Sequence, residues 1–467
     1  MRLVQALPLL TLASAFVITE NEVFEKIEKS GRHFLKDTHK SGQQLLDNTQ
    51  NFLDDAFEKA VDTAKDVGNK AYHKVHEAGC DVESWLEGSP LADEEVDVWD
   101  EEHPHPPHHG PPHHGPPHHG KPKHPHHGHK PNLTVYELIS KSKYTTKLAK
   151  LINEYDDLVE TLNSTKANFT IFAPTDAAFE KIPKHGKKPS KEFLKDLLLY
   201  HVSDDFYPAG RVLHSYTIPT LYEPENLGHK QRLTVRVTLK GPTINFYSKI
   251  VAVNIFGTNG VIHGVDSILV PPPSVAAIID LLPGEFSTLE LAFGKTGLWD
   301  KINSTDYPHE GGTLFAPSNF AFKKLGPKIN AFLFSKFGEK YLKALLEYHI
   351  VVNQTLYSDA FYDATKDEVE TARPPYYHFD LETALKDKSI AVDVARYGPF
   401  ISIRLNGFSR VTVHDGVASD GVIQVVSDVL IPPKNAATGE GVWAGEELSV
   451  DDFKARFEPF VEETLEL

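Results

Sequence analysis

A long internal repeat constrains the fold of this chain more than any other feature. The segment FTIFAPTDAAF at 169–179 recurs as GTLFAPSNFAF at 312–322, so that Pro317 of the second copy corresponds to Pro174 of the first. Two shorter segments recur in the same order: LLYHV at 198–202 becomes LEYHI at 346–350, and GVI at 260–262 reappears at 421–423. Because the order is kept while the offset between the copies grows along the chain, the pattern predicts two homologous domains with loop insertions in the second. A unit of about 140 residues is a whole domain and not a solenoid repeat.

The first repeated segment predicts a strand followed by a helix. Each copy is an apolar run that ends at a proline, which cannot donate to a sheet, so we expect a short buried strand there. Thr175 and Ser318 come next and are placed to cap the start of a helix. We expect two side chains of that helix, three positions apart, to point into the core: Phe179 and Ile182 in the first copy, Phe322 and Leu325 in the second.

The last repeated segment predicts a hairpin. Asn259-Gly260 and Asp420-Gly421 are dipeptides that favour the positive φ angles of a hairpin turn. In each copy a β-branched run that ends in two prolines follows this dipeptide. A strand, a helix and a closing hairpin together predict the α+β class with a mainly antiparallel sheet.

These motifs resemble the fasciclin-like (FAS1) domain family. The segment TxFAP(T/S)xxAF, the central Tyr-His pair and the closing segment NGxIHxVDxILxP occur in that order, over two tandem domains. The resemblance implies an antiparallel β wedge with several helices in each domain, and a role in extracellular adhesion or matrix contact. The first copy keeps His263 and Asp266 of the closing segment. The second has Gln424 and Ser427 at these positions, followed by Asp428, so equivalent surface functions are not implied.

Composition divides the whole chain into six segments. We predict a signal peptide at 1–15, an amphipathic helical segment at 20–88, an acidic and then His/Pro/Gly-rich disordered linker at 89–131, FAS1-like domains at 132–272 and 273–433, and an acidic C-terminal tail at 434–467. The clearest helical pattern lies between Leu53 and Val75, with apolar residues at three- and four-residue steps. Its polar face carries both signs of charge. A helix packed on itself or on the body is therefore favoured over one that lies on a membrane or binds a partner.

The amino terminus and the sequons predict secretion. Arg2, the apolar run at 3–12 and Ala13-Ser14-Ala15 have the order of a secretory signal, and the run is shorter than the ~20 residues of a membrane span. Five Asn-x-Ser/Thr sequons agree with this route: Asn132, Asn163, Asn168, Asn303 and Asn353. We expect a secreted glycoprotein without a membrane span, extracellular or in a cell wall, with a vacuole as the alternative.

The linker contains twelve histidines that are candidate metal ligands: His103, His105, His108, His109, His113, His114, His118, His119, His124, His126, His127 and His129. Its core repeats His-His-Gly-Pro-Pro, so polyproline geometry would place successive His pairs about 15 Å apart. This spacing favours several weak sites for zinc, copper or nickel over one rigid site. Two other interpretations stay open: a polycation that forms near pH 5 and contacts anionic groups, and a hydrated spacer.

The sequence argues against several classes of function. A net charge of -17 excludes non-specific nucleic-acid binding, and a single cysteine, Cys80, excludes a disulfide scaffold. Neither a phosphate-binding Gly-rich loop nor a nucleophile elbow or zinc-protease motif occurs, so we predict no enzyme and no required cofactor. His201 and His349 each follow a tyrosine and an apolar run. They, and His263, are therefore predicted to be hydrogen-bonded core histidines and not general bases.

The prediction for function follows from the resemblance and the secretory features. We expect a cell-adhesion or cell-wall and matrix interaction module that uses its paired FAS1-like domains. The partners would be glycans or proteins of a cell surface or wall, with self-association as a further option. The alternative is an extracellular or vacuolar metal-buffering protein that uses the histidine tract.

Overall fold

The structure is a computed structural model. It describes residues 82–87, 132–182, 189–238, 241–299, 309–364, 369–370, 376–397, 400–434, 443, 445 and 447–461. The predicted signal peptide, the linker with its twelve histidines, Cys80, Asn303 and most of the segment at 20–88 lie outside the described residues.

The elements follow one another in a similar order in the two repeats. The helices are α1 (Val82–Glu87), α2 (Val135–Lys141), α3 (Thr146–Ile152), α4 (Asp156–Asn163), α5 (Asp176–Glu180), α6 (Lys191–Tyr200), α7 (Ala209–Leu213), α8 (Val275–Leu281), α9 (Pro283–Thr296), α10 (Asn319–Lys324), α11 (Pro327–Leu333), α12 (Glu339–Tyr348) and α13 (Val450–Val461). The strands of the first repeat are β1 (Phe169–Pro174), β2 (Val202–Ser203), β3 (Thr217–Pro219), β4 (Arg232–Thr238), β5 (Gly241–Ile244), β6 (Ser248–Gly257) and β7 (Gly260–Val265). Those of the second are β8 (Gly312–Pro317), β9 (Ile350–Val352), β10 (Gln354–Leu356), β11 (Phe361–Asp363), β12 (Val369–Glu370), β13 (Tyr376–Glu382), β14 (Ser389–Tyr397), β15 (Phe400–Leu405), β16 (Ser409–Ala418) and β17 (Gly421–Val426). Among the described residues, no helix has the length and apolar character needed to cross a membrane.

Each repeat builds a seven-stranded sheet. The strand order is β2-β1-β7-β6-β5-β4-β3 in the first domain and β13-β14-β15-β16-β17-β8-β9 in the second, and β10–β12 form a smaller sheet. Strands β1 and β7 pair in parallel, as do β8 and β17, whereas the other described strand pairs are antiparallel. The predicted α+β class, with a mainly antiparallel sheet in each of two tandem domains, is confirmed. The parallel pair brings the first and last repeated segments together in the middle of each sheet.

The predicted hairpins are present, but the glycine has a different purpose from the one expected. Strands β6 and β7 pair Gly257 with Gly260, so the turn residues are Thr258 and Asn259. Among the described residues Asn259 is not one of those with positive φ. A Cβ atom on Gly260 would overlap the carbonyl oxygen of Phe169. The glycine is therefore required because β1 passes so close to the start of β7.

The predicted helix after the first strand forms in both domains, with two differences between them. Ser318 accepts a hydrogen bond from the Ala321 N–H at 3.2 Å, whereas Thr175 occupies the N-cap position without a side-chain hydrogen bond. Phe322 and Leu325 are buried as expected, but Ile182 is 44% exposed, so its predicted core position is wrong. Helix α5 ends at Glu180, and Ile182 lies beyond its last turn.

The second domain gains a core helix from the segment predicted as an acidic tail. Helix α13 buries Phe453 and Phe457 completely in the main apolar cluster of that domain. Trp443 packs in the same cluster, 5.4 Å from the ring of Phe408. The described part of this tail is therefore a structural element of the second domain.

The first domain gains a helix from before the histidine tract. Helix α1 places Val82, Trp85 and Leu86 against the core of this domain, and Trp85 is completely buried. The three positions are i, i+3 and i+4, which share one face of a helix. The described end of the predicted helical segment is thus helical and packed on the body.

Candidate functional site

The two central histidines have the same structural role in both domains. The Nδ1 atoms of His201 and His349 lie 2.7 and 2.8 Å from the carbonyl oxygens of Leu197 and Leu345. Their Nε2 atoms accept backbone N–H groups, from Leu269 at 2.9 Å and from Leu430 at 2.8 Å. A donor at one nitrogen and an acceptor at the other make each ring neutral. Burial lowers the pKa of both to about 4, and the prediction of core histidines is confirmed.

The histidine of the closing segment is also structural. His263 is completely buried, and its Nε2 donates to the carbonyl oxygen of Tyr207 at 2.8 Å. Burial lowers its pKa to about 4. In the second domain Gln424 has the corresponding position, and its Nε2 donates to the carbonyl oxygen of Leu356 at 2.8 Å. An amide thus replaces an imidazole as the donor to the same kind of buried carbonyl.

The aspartate of the closing segment has two roles that the second domain divides between two residues. Asp266 accepts the backbone N–H of Lys249 at 2.8 Å and pairs with the Lys181 ammonium at 2.9 Å. In the second domain, the Ser427 hydroxyl accepts the backbone N–H of Arg410 at 3.1 Å. Asp428, one residue later, pairs with Lys324 at 3.0 Å.

A polar interface that the sequence analysis missed joins the two domains. Strand β4 alternates buried Leu233 and Val235 with Arg232, Thr234 and Arg236, and alternate residues of a strand share a face. This polar face contacts the second domain. The guanidinium of Arg232 donates to the Tyr362 hydroxyl at 2.8 Å and lies 3.7 Å from an oxygen of Asp359.

Both members of the Arg232–Asp359 pair are shielded from water, because their side chains are 8% and 13% exposed. Asp359 also accepts the backbone N–H groups of Tyr216 and Thr217 at 3.0 and 2.8 Å. A buried ion pair whose remaining lone pairs accept hydrogen bonds holds its two partners in one geometry.

A second cluster lies in the same interface. Arg236 donates to the His414 ring at 2.6 Å, and the Nδ1 of His414 lies 2.6 Å from a carboxylate oxygen of Asp415. Although burial by itself raises the pKa of Asp415, His414 and Arg236 hold it well below its usual range. Ser358 donates to the same carboxylate through its hydroxyl and its backbone N–H. The serine therefore bonds to the acid and not to the imidazole, which is not the arrangement of a nucleophilic triad.

The correspondence between the repeats could have identified the interface cluster. Asn254 and Asp415 occupy equivalent positions, share a φ of 58°, and lie where the β6–β7 and β16–β17 registers shift. Asn254 accepts the backbone N–H of Ala209 at 2.8 Å, as Asp415 accepts that of Ser358. A charged residue in one copy at a position that is neutral in the other is the recognisable feature.

The sequons occupy two regions of the structure. Asn132, Asn163 and Asn168 are exposed. Their chain neighbours Leu133, Leu162 and Phe169 form hydrogen bonds with Thr258 or Asn259 of the β6–β7 turn. The side chain of Asn259 in that turn bonds to Val135, Leu162 and Ser164. Asn353 is half-buried, and its side-chain oxygen accepts the N–H of Glu310 at 3.0 Å.

Three large apolar side chains are exposed on α8, α9 and α10 of the second domain, which pack on one another. Leu281, Leu291 and Phe320 are 41%, 61% and 62% exposed, and are called the apolar patch below. Asn319, which precedes Phe320, joins the start of α10 to α9: it donates to the carbonyl oxygen of Pro283 and accepts the N–H of Thr288. In the first domain Ala177 lies at the position that corresponds to Phe320.

Comparisons with known proteins agree with the repeat. A model of the fasciclin domain family matches residues 143–271 and 284–432. Aurofusarin biosynthesis cluster protein S of Gibberella zeae is 28% identical over 361 residues, which cover 72% of this chain and 88% of that protein. Transforming growth factor-beta-induced protein ig-h3 of Oryctolagus cuniculus is 26% identical over 291 residues, covering 58% of this chain but only 39% of that protein. The solved FAS1 domain pair of the insect cell adhesion molecule fasciclin I is 18% identical and covers 61% of this chain and 96% of its own, with a TM-score of 0.30. Because the family match covers both repeats and more than half of the chain, this protein belongs to the fasciclin domain family.

Proposed function

We propose that this chain is a secreted glycoprotein that acts in adhesion between cells or between a cell and its wall or matrix. The observation that supports it most is the match of both repeats to the fasciclin domain, a family with adhesion and matrix-associated members. The described geometry agrees, because His201, His263 and His349 are buried structural groups, as the sequence predicted. The charged interface holds the two domains as one unit, which suits a protein that transmits force between two contacts.

The apolar patch of Leu281, Leu291 and Phe320 is the contact surface in this proposal. Isolated exposed apolar residues are common on soluble proteins, but a group of three on neighbouring helices favours an interaction site. The corresponding region of the first domain has the smaller Ala177. We therefore assign contact with the external partner to the second domain.

Bead aggregation with the purified protein tests the proposal. Beads coated with the mature chain should cluster, and Leu291→Ser with Phe320→Ser should reduce clustering severalfold. Phe337→Ser is the matched control, since Phe337 is 83% exposed and is not part of the patch. Clustering that is absent for the unmodified chain, on beads carrying either this protein or extracted wall material, would contradict adhesion. Clustering that is unchanged in the double variant would retain adhesion and move the surface elsewhere.

Metal buffering is the second candidate, and the density of twelve histidines between His103 and His129 favours it. Imidazole binds zinc and copper in its neutral form, so affinity should fall as the pH approaches 5. Calorimetric titration with zinc should compare the full chain with an internal deletion of 103–129. An internal deletion keeps Trp85 and α13, which belong to the two cores. Equal binding by both proteins would remove this candidate.

Secretion and glycosylation are part of the proposal and have their own test. The surface positions of Asn132, Asn163 and Asn168 are compatible with attached glycans. Mass spectrometry of the protein from culture medium, before and after treatment with peptide:N-glycosidase, should show a loss of mass and conversion of asparagine to aspartate at occupied sequons. A protein found only inside cells with unmodified sequons would contradict it.

A further inference from the structure

The contact that α1 makes with the first domain is a distinct binding site, here called the Trp85 site. The indole of Trp85 lies against Gly264 of β7 and packs at 5.5 Å from the ring of Tyr144. The hydroxyl of Ser142 donates to the carbonyl oxygen of Trp85 at 2.8 Å. One buried aromatic side chain and one directed hydrogen bond thus hold a helix of six residues.

Small residues on β6 and β7 create this site. A Cβ atom on Gly264 would lie 3.0 Å from the Cβ of Ala252 and 3.1 Å from Cζ3 of Trp85. Ala252 and Gly264 are register partners, and at the equivalent positions of the second repeat Val413 and Val425 are register partners as well. In the second domain Val425 belongs to the apolar core and Val413 packs against it, so side-chain atoms are present where Gly264 has none. The Trp85 site therefore belongs to the first domain alone.

The bound helix is joined to the first domain by a long connection. Residues 88–131 separate Glu87 from Asn132, and a connection of this length can span at most about 150 Å. The family match begins only at residue 143, so α1 lies outside the matched residues.

The contact itself suits a helix that can be exchanged. The Nε1 of Trp85 is buried and has no hydrogen-bond partner among the described residues. A buried unpaired N–H weakens a contact that burial of the indole otherwise favours. Val82 and Leu86 are only partly buried beside it. Exchange of one identical element between copies is a low-cost route to association, because the same contacts form within or between chains.

From these observations we infer that the Val82–Glu87 helix of one chain binds the Trp85 site of a second copy, and that chains link through this exchange. The partner is fixed by shape and chemistry: a helical turn with Val, Trp and Leu at i, i+3 and i+4. In dilute solution the Trp85 site binds the helix of its own chain, since the tether gives that helix the higher local concentration. On a crowded surface, where neighbouring chains reach a similar local concentration, the exchanged form links them. The inference goes beyond the proposed adhesion and does not depend on it.

Two full-length variants separate donor from acceptor. Trp85→Ala removes the indole and leaves the site open, whereas Gly264→Val blocks the site with the residue of the second domain and leaves the helix intact. Each variant alone should sediment as a monomer in reducing buffer, which keeps Cys80 from forming a disulfide. An equal mixture should form a 1:1 heterodimer when titrated to on the order of 1 mM, an upper bound on the effective concentration that a tether of this length supplies. The double variant Trp85→Ala/Gly264→Val, mixed with the Trp85→Ala chain, should form none.

The outcomes decide the inference. A saturable heterodimer in the mixture, absent from the control, supports exchange. Two folded variants that sediment independently over the whole titration overturn it. Should Gly264→Val fail to fold, a labelled peptide of residues 76–92 takes its place and should bind the Trp85→Ala chain. The same peptide with alanine at position 85 is the control, and equal or absent binding by both peptides overturns the inference.

Discussion

The two domains share the hydrogen bonds of their central histidines and tyrosines but differ at the two places where another segment docks. His201 and His349 bond to equivalent partners, and Asn245 and Asn406 each donate to the hydroxyl of the preceding central tyrosine at 2.9 Å. In contrast, β6 and β7 of the first domain carry the small residues Ala252 and Gly264 at the Trp85 site, where the second domain has valines. At the interface between the domains, β16 of the second domain has His414 and Asp415. The equivalent residues on β6 of the first domain are the neutral Val253 and Asn254.

The comparison shows that equivalent positions of the two domains make the same hydrogen bond even where the residue differs. Gln424 replaces His263 and still donates to a buried carbonyl, and Ser427 with Asp428 together replace Asp266. The role persists because an unpaired buried carbonyl or N–H costs about 1–3 kcal/mol. A side chain that faces a docking segment does not have to pair a buried backbone group of its own domain. The residue types of the two copies therefore differ at those positions.

Acid should unfold the first domain before the second, and this is the largest effect we expect. Burial lowers the pKa of His201, His229 and His263 to about 4 in the first domain; among the described residues of the second domain it does so for His349 alone. Between pH 6.5 and 4 the unfolded chain binds protons that these folded rings do not. The free energy of unfolding therefore decreases as the pH decreases. The expected slopes are about 4 and about 1.4 kcal/mol per pH unit.

Hydrogen exchange read by mass spectrometry can follow the two domains separately. Peptides from β1 and β7 should lose protection at a higher pH than those from β8 and β17. Equal slopes in the two domains would contradict the expectation. Above pH 6.5 these rings are neutral in both states and should contribute no slope.

Removal of Arg232 should have the next largest effect, because it leaves the shielded carboxylate of Asp359 without its ion-pair partner. Loss of one member of a buried pair costs about 3–5 kcal/mol. Urea unfolding of Arg232→Ala should show this loss, and small-angle scattering should show the domains moving apart. Lys230→Ala is the control, since Lys230 pairs with Asp204 at the surface. A loss below about 1 kcal/mol would mean that the backbone donors from Tyr216 and Thr217 suffice for Asp359.

The sequence predicted the framework well and the contacts between segments poorly. The order of the repeated segments predicted the strand, the helix and the hairpin of each domain, because these depend on local residues such as Pro174 and Ser318. The buried state of His201 followed from the apolar run before it. The exposure of Ile182 was missed, since the end of α5 depends on packing and not on its own sequence.

Long-range contacts had no local pattern to predict them. Arg232 contacts Asp359, and Trp85 contacts Gly264, although more than 100 residues separate the two members of each pair along the chain. The Val-x-x-Trp-Leu spacing of α1 was visible, but nothing near it in the sequence identified the surface it covers. The replacement of Gly264 by Val425 could be related to the binding of Trp85 only after the strand registers had shown that the two positions are equivalent.

Exchange of the closing polar residues sharpens the comparison. His263→Gln removes one lowered-pKa ring from the first domain, so its acid slope should fall by about 1.4 kcal/mol per pH unit. Gln424→His should raise the slope of the second domain by the same amount if its imidazole donates to Leu356. Near pH 7.5 each change should cost at most about 1 kcal/mol, chiefly through the ring stacking of His263 on Phe172. Unfolding in urea across pH 4.5–7.5 measures both, and slopes that do not move would show that position 263 is not a source of acid lability.

The lysine–aspartate pairs that close each domain should show the smallest effect, and the second domain should depend on its pair more. The Lys181 and Asp266 side chains are 54% and 25% exposed, whereas those of Lys324 and Asp428 are 39% and 10% exposed. Exposed ion pairs contribute below about 1 kcal/mol, and salt screens them. Double-mutant cycles that combine Lys181→Met with Asp266→Asn, and Lys324→Met with Asp428→Asn, isolate each coupling from the contact of Lys324 with the Phe320 ring. The coupling should be larger for Lys324–Asp428 and less sensitive to added salt, because less water reaches Asp428. The opposite order would mean that the division of Asp266 into Ser427 and Asp428 weakened the ion pair while preserving the backbone contact.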